Sequence, residues 1–283
     1  MVRRVLALAV LAGAVATAVW LVSVATNHDD GKKKPKAPAR LVTLRIVFPE
    51  GFTRKEMAER IVAVNKIALQ KRGIDPRLSA KGYLDATGSS LLPAKLNGDK
   101  KRRALEGFLF PATYDFFPTT TSKKLVADQL KAFRRNWKKV SLRYARSKNL
   151  TPYDVLNIAS MVEAEVLAPE ERAKVSAVIY NRLHARMPLG IDATIRYGLG
   201  IPPNRSLTKA ELRSPNPYNT RVHSGLPPTP IGNPGLAAMQ AAAHPAKVDY
   251  LYFVRKPDKI HHFFTASYGE FIAYLRAHGY PTS

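Results

Sequence analysis

The stretch Asp154–Leu167 decides most about how this chain can fold. It carries apolar residues at Val155, Ile158, Met161 and Val162, and again at Leu156, Ala159, Ala164, Val166 and Leu167. A helix built from it has no polar face and belongs inside a core. Thr151, Pro152 and Asp154 start that helix, since proline suits the first helical position and an acid favours the first turn. Two carboxylates, Glu163 and Glu165, sit on it. Desolvation raises a carboxyl pKa toward the range where it can act as an acid at neutral pH, so the pair are the first catalytic candidates. An offset of two positions turns about 200° around a helix. At most one of them therefore lines a given cleft. Spacing does not choose between them, and pairing with bases such as Arg172 or Arg182 is an alternative for both.

Downstream, Pro169 opens a second helix whose core side is Val175, Val178, Ile179 and Leu183. Glu171 and Arg172 at its start read as structural ion-pairing residues, with substrate contact as the alternative. Asn181 either holds a cleft hydroxyl or satisfies backbone groups. Asp192, Thr194 and Tyr197 fall in a short alternating stretch that reads as a strand or strand-like loop. They combine hydroxyl-binding groups with an aromatic surface, as a sugar site requires. Tyr218, Asn219 and Thr220 lead into a loop rich in proline and glycine, where binding residues sit on scaffolded backbone. Asn233 and Pro234 start an alanine-rich helix. Tyr250–Val254 reads as a strand, His261–Thr265 as its partner, and Phe271, Ile272 and Leu275 as a closing amphipathic helix that ends at Gly279.

At the other end, Val5–Ala25 carries no charge over 21 positions. As a helix it would reach about 31 Å, enough to cross a bilayer. Arg3 and Arg4 before it orient the rest of the chain outside the cytoplasm. The alternative is a cleaved signal peptide with Ser23 and Ala25 at its cleavage site; the length of the run favours a retained anchor. Asp29–Arg40 is a lysine- and proline-rich linker. Leu41–Phe48 alternates as a strand, Pro49–Gly51 turn the chain, and Thr53 with Glu56 forms a capping box for a helix with Met57, Ile61, Val64 and Ala68 inside. Asp75–Arg103 reads as a loop or hinge. Ser122 caps a long basic helix running to about Lys148, with Val126, Leu130, Phe133 and Trp137 inward.

The 45 Lys and Arg against 21 Asp and Glu give a net charge of +24, which points to an anionic partner. The absence of cysteine excludes disulfides, thiolate metal sites and cysteine nucleophiles. No P-loop, dinucleotide fingerprint, HExxH or G-x-S-x-G motif occurs, and His244, His261 and His262 lack metal-ligand spacing.

The strings ASMVEAEV, EERAKVSAVIYNRL and DATIRYG resemble the core of the YceG-like family of endolytic murein transglycosylases. LEGFLFPATYDF upstream, and SPNPYNTRVHSGLPPTPIGNPG and AAAHPAKVDYLYFV downstream, fall in the family's order over about Leu105–Phe264. Several motifs in register are far more specific than any one. The resemblance implies that the second glutamate of the E-x-E pair, Glu165, is the catalytic acid. The candidate substrate contacts are Asp192, Thr194, Tyr197, Tyr218, Asn219, Glu163 and Asn181, and the implied chemistry requires neither metal nor cofactor. The chain departs from the family at Gly190, where relatives carry glutamine, and near Glu270, where they carry histidine; His261 matches another family histidine.

The expectation is thus an α+β protein: residues 1–27 a cytoplasmic tip and transmembrane anchor, 28–40 a basic linker, 41–100 a small LysM-like unit and hinge, and 101–283 the catalytic domain. By resemblance it cleaves peptidoglycan glycan strands between N-acetylmuramic acid and N-acetylglucosamine, at the outer face of the cell membrane. Peptidoglycan synthases and division or elongation proteins are its expected partners, and nucleic acid is not. The alternative is a non-catalytic basic envelope protein that binds anionic wall polymers or scaffolds wall synthesis.

Overall fold

The structure, a computed structural model, describes residues 42–91, 102–202 and 204–281. The chain divides into two units, Met1–Leu41 and Val42–Ser283. The first unit, which holds the expected anchor and linker, lies outside the described residues. Among the described residues no helix is long and apolar enough to cross a membrane.

The second unit mixes helices with small antiparallel sheets, the α+β class expected. Strand β1 (Leu44–Val47) buries Leu44 and Ile46 and exposes the residues between. Helix α1 (Arg54–Arg72) starts at the Thr53/Glu56 capping box and stops at Gly73, whose φ of 63° is left-handed. Helix α2 (Ala80–Gly88) corrects the expected hinge. Two glycines in nine residues hid it from pattern reading, but Ser79 caps it and Tyr83, fully buried, bonds Gln129 at 2.8 Å. Short strands β2 (Ser90–Leu91) and β3 (Arg102–Arg103) pair with each other, and β4 (Thr113–Phe116) pairs with β1, Leu44 opposite Phe116.

Helix α3 (Ser122–Trp137) is shorter than the 122–148 expected, and its cap is Thr121. The chain turns so that Val140 is buried, then makes the short α4 (Arg143–Ser147). The central helix α5 (Pro152–Glu165) begins at a Thr151/Asp154 capping box with Pro152 in its first turn. Every residue from Val155 to Val162 is buried. It ends two residues before the expected Leu167, because Val166 turns extended at φ −101° and ψ 120°. A 3-10 turn (Pro169–Glu171) leads into α6 (Arg172–His184).

Asp192–Leu199 is a helix, α7, which corrects the strand expected there. Asp192 lies in its first turn and left-handed Gly200 ends it; the alternating run was too short for its period to decide. Helices α8 (Lys209–Leu212) and α9 (Leu236–Ala243) follow, the latter capped by Gly235 rather than Asn233. Strands β5 (Tyr252–Arg255) and β6 (His262–Thr265) form the expected hairpin, and α10 (Tyr268–Ala277) closes the chain.

Helix α5 packs most extensively against α9, and also against α6 and α7. Its two buried polar side chains hold the proline-rich loop in place. Asn157 donates to Pro227 O at 2.6 Å, and Ser160 accepts from the Ile231 N–H at 3.0 Å. Beyond it, Gly107 adopts φ +87°, and an added Cβ would sit 2.7 Å from the Pro230 ring. Only glycine meets both demands at that turn.

Candidate active site

Glu163 and Glu165 leave the central helix toward different neighbours, as their spacing requires. Glu163 accepts from the Gly235 N–H at 2.8 Å, at the start of α9, with Glu50 and Arg172 close enough to act on it electrostatically. Burial is the main cause of its raised pKa, and the Gly235 hydrogen bond opposes it.

Glu165 is the last residue of α5 and keeps partial exposure, while its carboxyl is desolvated. Burial first, and the charge of Asp192 second, push its pKa up. Arg255, the Ala193 N–H and Arg221 pull the other way without cancelling the rise. Ala193 lies in the first turn of α7, whose free N–H groups favour a negative oxygen. The result is a carboxyl biased toward its protonated form, in a setting that stabilises the anion once the proton leaves. That is the electrostatic requirement for a group that acts first as acid and then as base.

Asp192 is gripped by Arg221, with Nε and Nη2 at 2.8 and 2.7 Å from Oδ1. Arg182, offered by the sequence as a partner for the glutamates, donates instead to the carbonyls of Leu251, Pro188 and Leu189.

The other expected contacts scatter. Thr194 is fully buried, and its hydroxyl donates to Ile191 O at 2.7 Å beside the Thr220 hydroxyl at 3.0 Å. Asn219 is fully buried too; its amide donates to Leu212 O and Ser214 O, and its oxygen accepts from Arg221 N. It thereby fixes the backbone of the arginine that holds Asp192. Tyr197 and Tyr218 meet ring to ring at 5.1 Å, with their hydroxyls on Glu106 and Thr229. Asn181 takes the second of its two readings and donates to the carbonyls of Val248 and Tyr250, both at 2.9 Å. It lies with two surface clefts of about 590 and 740 Å³ that share Tyr144 and Tyr180. The smaller lies between α6 and the segment Pro245–Tyr250, the larger by the start of α5 and the end of α6, and Glu165 lines neither of them. The electrostatic setting of Glu165, rather than a cavity, defines the candidate site.

Glu171 takes the ion-pairing role, with His262 as its partner: His262 Nδ1 lies 2.6 Å from Glu171 Oε2, and both side chains are almost wholly buried. His261 is exposed beside Asp258 and Glu170. Sequence reasoning missed Arg221, Arg255 and Glu106. Arg221 had a signal, being two residues after Asn219 in the YNTR string; Arg255 had none. Among the described residues no cluster of three His, Cys, Asp or Glu is arranged to hold a metal.

An α+β domain built around a buried helix that presents a desolvated glutamate at its end is suited to acid–base chemistry. The YceG-like family model matches residues 24–277. The chain belongs to the YceG-like family. It is 37% identical to the endolytic murein transglycosylase of Bacillus subtilis (strain 168) over 155 residues, 55% of this chain and 43% of that protein. It is 34% identical to the endolytic murein transglycosylase of Streptococcus pneumoniae (strain ATCC BAA-255 / R6) over 239 residues, 79% of this chain and 42% of that protein. The match thus spans less than half the length of these curated relatives. The crystal structure of a yceG-like protein from Listeria monocytogenes superposes with a TM-score of 0.69 at 27% identity, covering 89% of this chain and 80% of that one.

Proposed function

We propose that this chain is a lytic transglycosylase that cuts within peptidoglycan strands. The observation that carries the reading is the state of Glu165: a carboxyl at the end of the core helix, its pKa raised by burial and by Asp192, with the Ala193 N–H ready for the anion. Relatives that match 79% of the chain are named endolytic murein transglycosylases. On this reading Glu165 protonates the oxygen that leaves between N-acetylmuramic acid and N-acetylglucosamine. It then takes the proton from the muramyl 6-hydroxyl, which closes a 1,6-anhydro ring. One glutamate serves both steps, and the substrate supplies the final nucleophile. Nothing in these steps calls for a metal or cofactor.

Asp192 is the acid that could make this a two-carboxylate hydrolase, as nucleophile at about 5–5.5 Å from the proton donor or as base at about 6.5–9.5 Å. Its bond to Arg221 argues for an electrostatic and positioning role. The test is mass spectrometry of purified glycan strands after digestion. The expected products end in anhydro-muramic acid, and Asp192→Asn should slow their release without changing them. Reducing muramic acid ends as the main product, with Asp192→Asn inactive, would establish hydrolysis instead.

The charge of +24 and the apolar run at Val5–Ala25 complete the proposal: a single-pass anchor, the strand–turn–helix unit from Leu44 to Arg72 as part of a LysM-like module, and a catalytic domain outside the membrane near the wall synthases. A reporter enzyme fused after Ser283 should then be active only outside the cytoplasm. Activity inside would reverse the topology.

A further inference from the structure

The end of an α-helix leaves its last carbonyls without intrahelical partners. In α5 the Val162 carbonyl is taken by the Val166 N–H at 3.1 Å, while the Glu165 carbonyl accepts from Arg255 Nη2. The same guanidinium donates through Nη1 to Lys259 O at 3.2 Å, which ties it to the turn of its own hairpin. Arg255 stands directly opposite His262 in the β5–β6 ladder, and opposed residues of an antiparallel pair share one face. His262 holds the other end of the same connection. Its backbone N–H donates to the Glu171 carboxylate at 3.0 and 3.1 Å, and its Nδ1 lies 2.6 Å from Glu171 Oε2. One cross-strand pair therefore grips both ends of the link Glu165–Glu171.

We propose that Arg255 and His262 form a positioning clamp that fixes the direction of the Glu165 carboxyl. The inference rests on the reading of Glu165 as the proton donor. The need for a clamp is local. Glu165 is the final helical residue, Val166 is buried but extended, and Leu167 is 63% exposed, so the helical hydrogen bonding that fixes the backbone stops at the acid. Helix ends fray over their last residues, and a misplacement of 1 Å at a reacting group lowers rate on the order of 10²-fold. Arginine suits the task because its planar fork bridges two carbonyls at once, which an ammonium does less well. The buried His262–Glu171 pair keeps the hairpin from sliding along the link.

The test uses the full 283-residue chain and compares kcat, KM, melting and pH profile for glycan cleavage in Arg255→Met, Arg255→Lys, His262→Gln and Glu165→Gln. Arg255→Met should lower kcat roughly 30- to 100-fold with KM within about twofold. It should also move the alkaline limb of the profile to higher pH, because Arg255 favours the ionised form of Glu165. The charges that remain around Glu165 are Asp192 and Arg221, and those around His262 are Glu171 and Asp258. Arg255→Lys should recover part of kcat. His262→Gln, which keeps a donor toward Glu171, should lose less than about tenfold. A wild-type kcat and profile in Arg255→Met, beside an inactive Glu165→Gln, would overturn the clamp alone. An active Glu165→Gln would overturn the functional reading and the clamp with it. Should Arg255→Met not fold, Arg255→Gln, too short to bridge both carbonyls, decides by the same criterion.

Discussion

Replacement of Glu165 by glutamine should reduce glycan cleavage by at least about 10³-fold while melting stays close to wild type. General acid–base catalysis contributes on the order of 10²–10⁴-fold, and in the proposed mechanism one side chain carries both halves of it. Glutamine is nearly isosteric and keeps an oxygen that can accept from the Ala193 N–H, the bond that opposes the pKa rise in Glu165. It has no proton to give at neutral pH, so the loss falls on kcat rather than on binding. Glu163→Gln is the internal control. Its oxygen still accepts from Gly235, which preserves the contact between α5 and the start of α9, and activity should stay within about tenfold of wild type. Product release followed by mass spectrometry, with thermal unfolding of each variant, separates the outcomes. Full activity of Glu165→Gln would move this chain from the enzymes to the basic envelope proteins that bind wall polymers. Full activity there with an inactive Glu163→Gln would transfer the acid role to Glu163.

What could be read from the chain beforehand divides by range. The Thr53/Glu56 and Thr151/Asp154 capping boxes join residues three positions apart, and each starts its helix where the sequence places it. The apolar run on every face of α5 demanded burial and received it from Val155 to Val162, while Ala164 and Leu167 at its end are exposed. Local signals failed where they were short or mixed. Asp192–Leu199 alternates over too few positions for a period of 2 to be told from 3.6, and only left-handed Gly200 marks its end as a helix. Ala80–Gly88 hides behind its glycines.

The surroundings of Glu165 illustrate the longer range. Asp192 was legible as a polar residue in a family string, but the charges that set its effect are Arg221 and Arg255, which reach the acid from segments 56 and 90 positions away in sequence. No periodicity brings such groups together; tertiary packing does. Asn181, Thr194 and Asn219 teach the complementary lesson. Residue type marked them as able to bind sugar hydroxyls, yet their polar atoms meet protein groups first, as buried polar groups do. Each of them holds backbone: Asn181 that of Val248 and Tyr250, Thr194 that of Ile191, and Asn219 that of Leu212 and Ser214.

Glu106 is the carboxylate whose role could be read only from the folded chain, and it should make stability depend on pH. It is 4% exposed and joins three segments: the Arg54 N–H at the start of α1, Asn233 Nδ2 in the proline-rich loop, and the Tyr197 hydroxyl on α7. Burial outweighs these donors and raises its pKa to about 7. The folded state thus holds the proton more tightly than the unfolded chain, whose carboxyl titrates near its ordinary 4.5. Stability from this group is therefore fully present below about pH 4.5 and is lost as pH rises through about 7. With each pKa unit worth about 1.4 kcal/mol, the loss is of order 3 kcal/mol by pH 8. Glutamine removes the titration and keeps the contacts. Its oxygen accepts from Arg54 and Asn233, and its amide donates to the Tyr197 oxygen, whose own hydrogen can turn to Thr229. Glu106→Gln should melt above wild type by roughly 5–10 °C at pH 8 and within about 2 °C of it at pH 5. Calorimetry across that range checks the sign: a variant less stable than wild type at pH 8 would mean that the ionised carboxylate itself holds the three segments together.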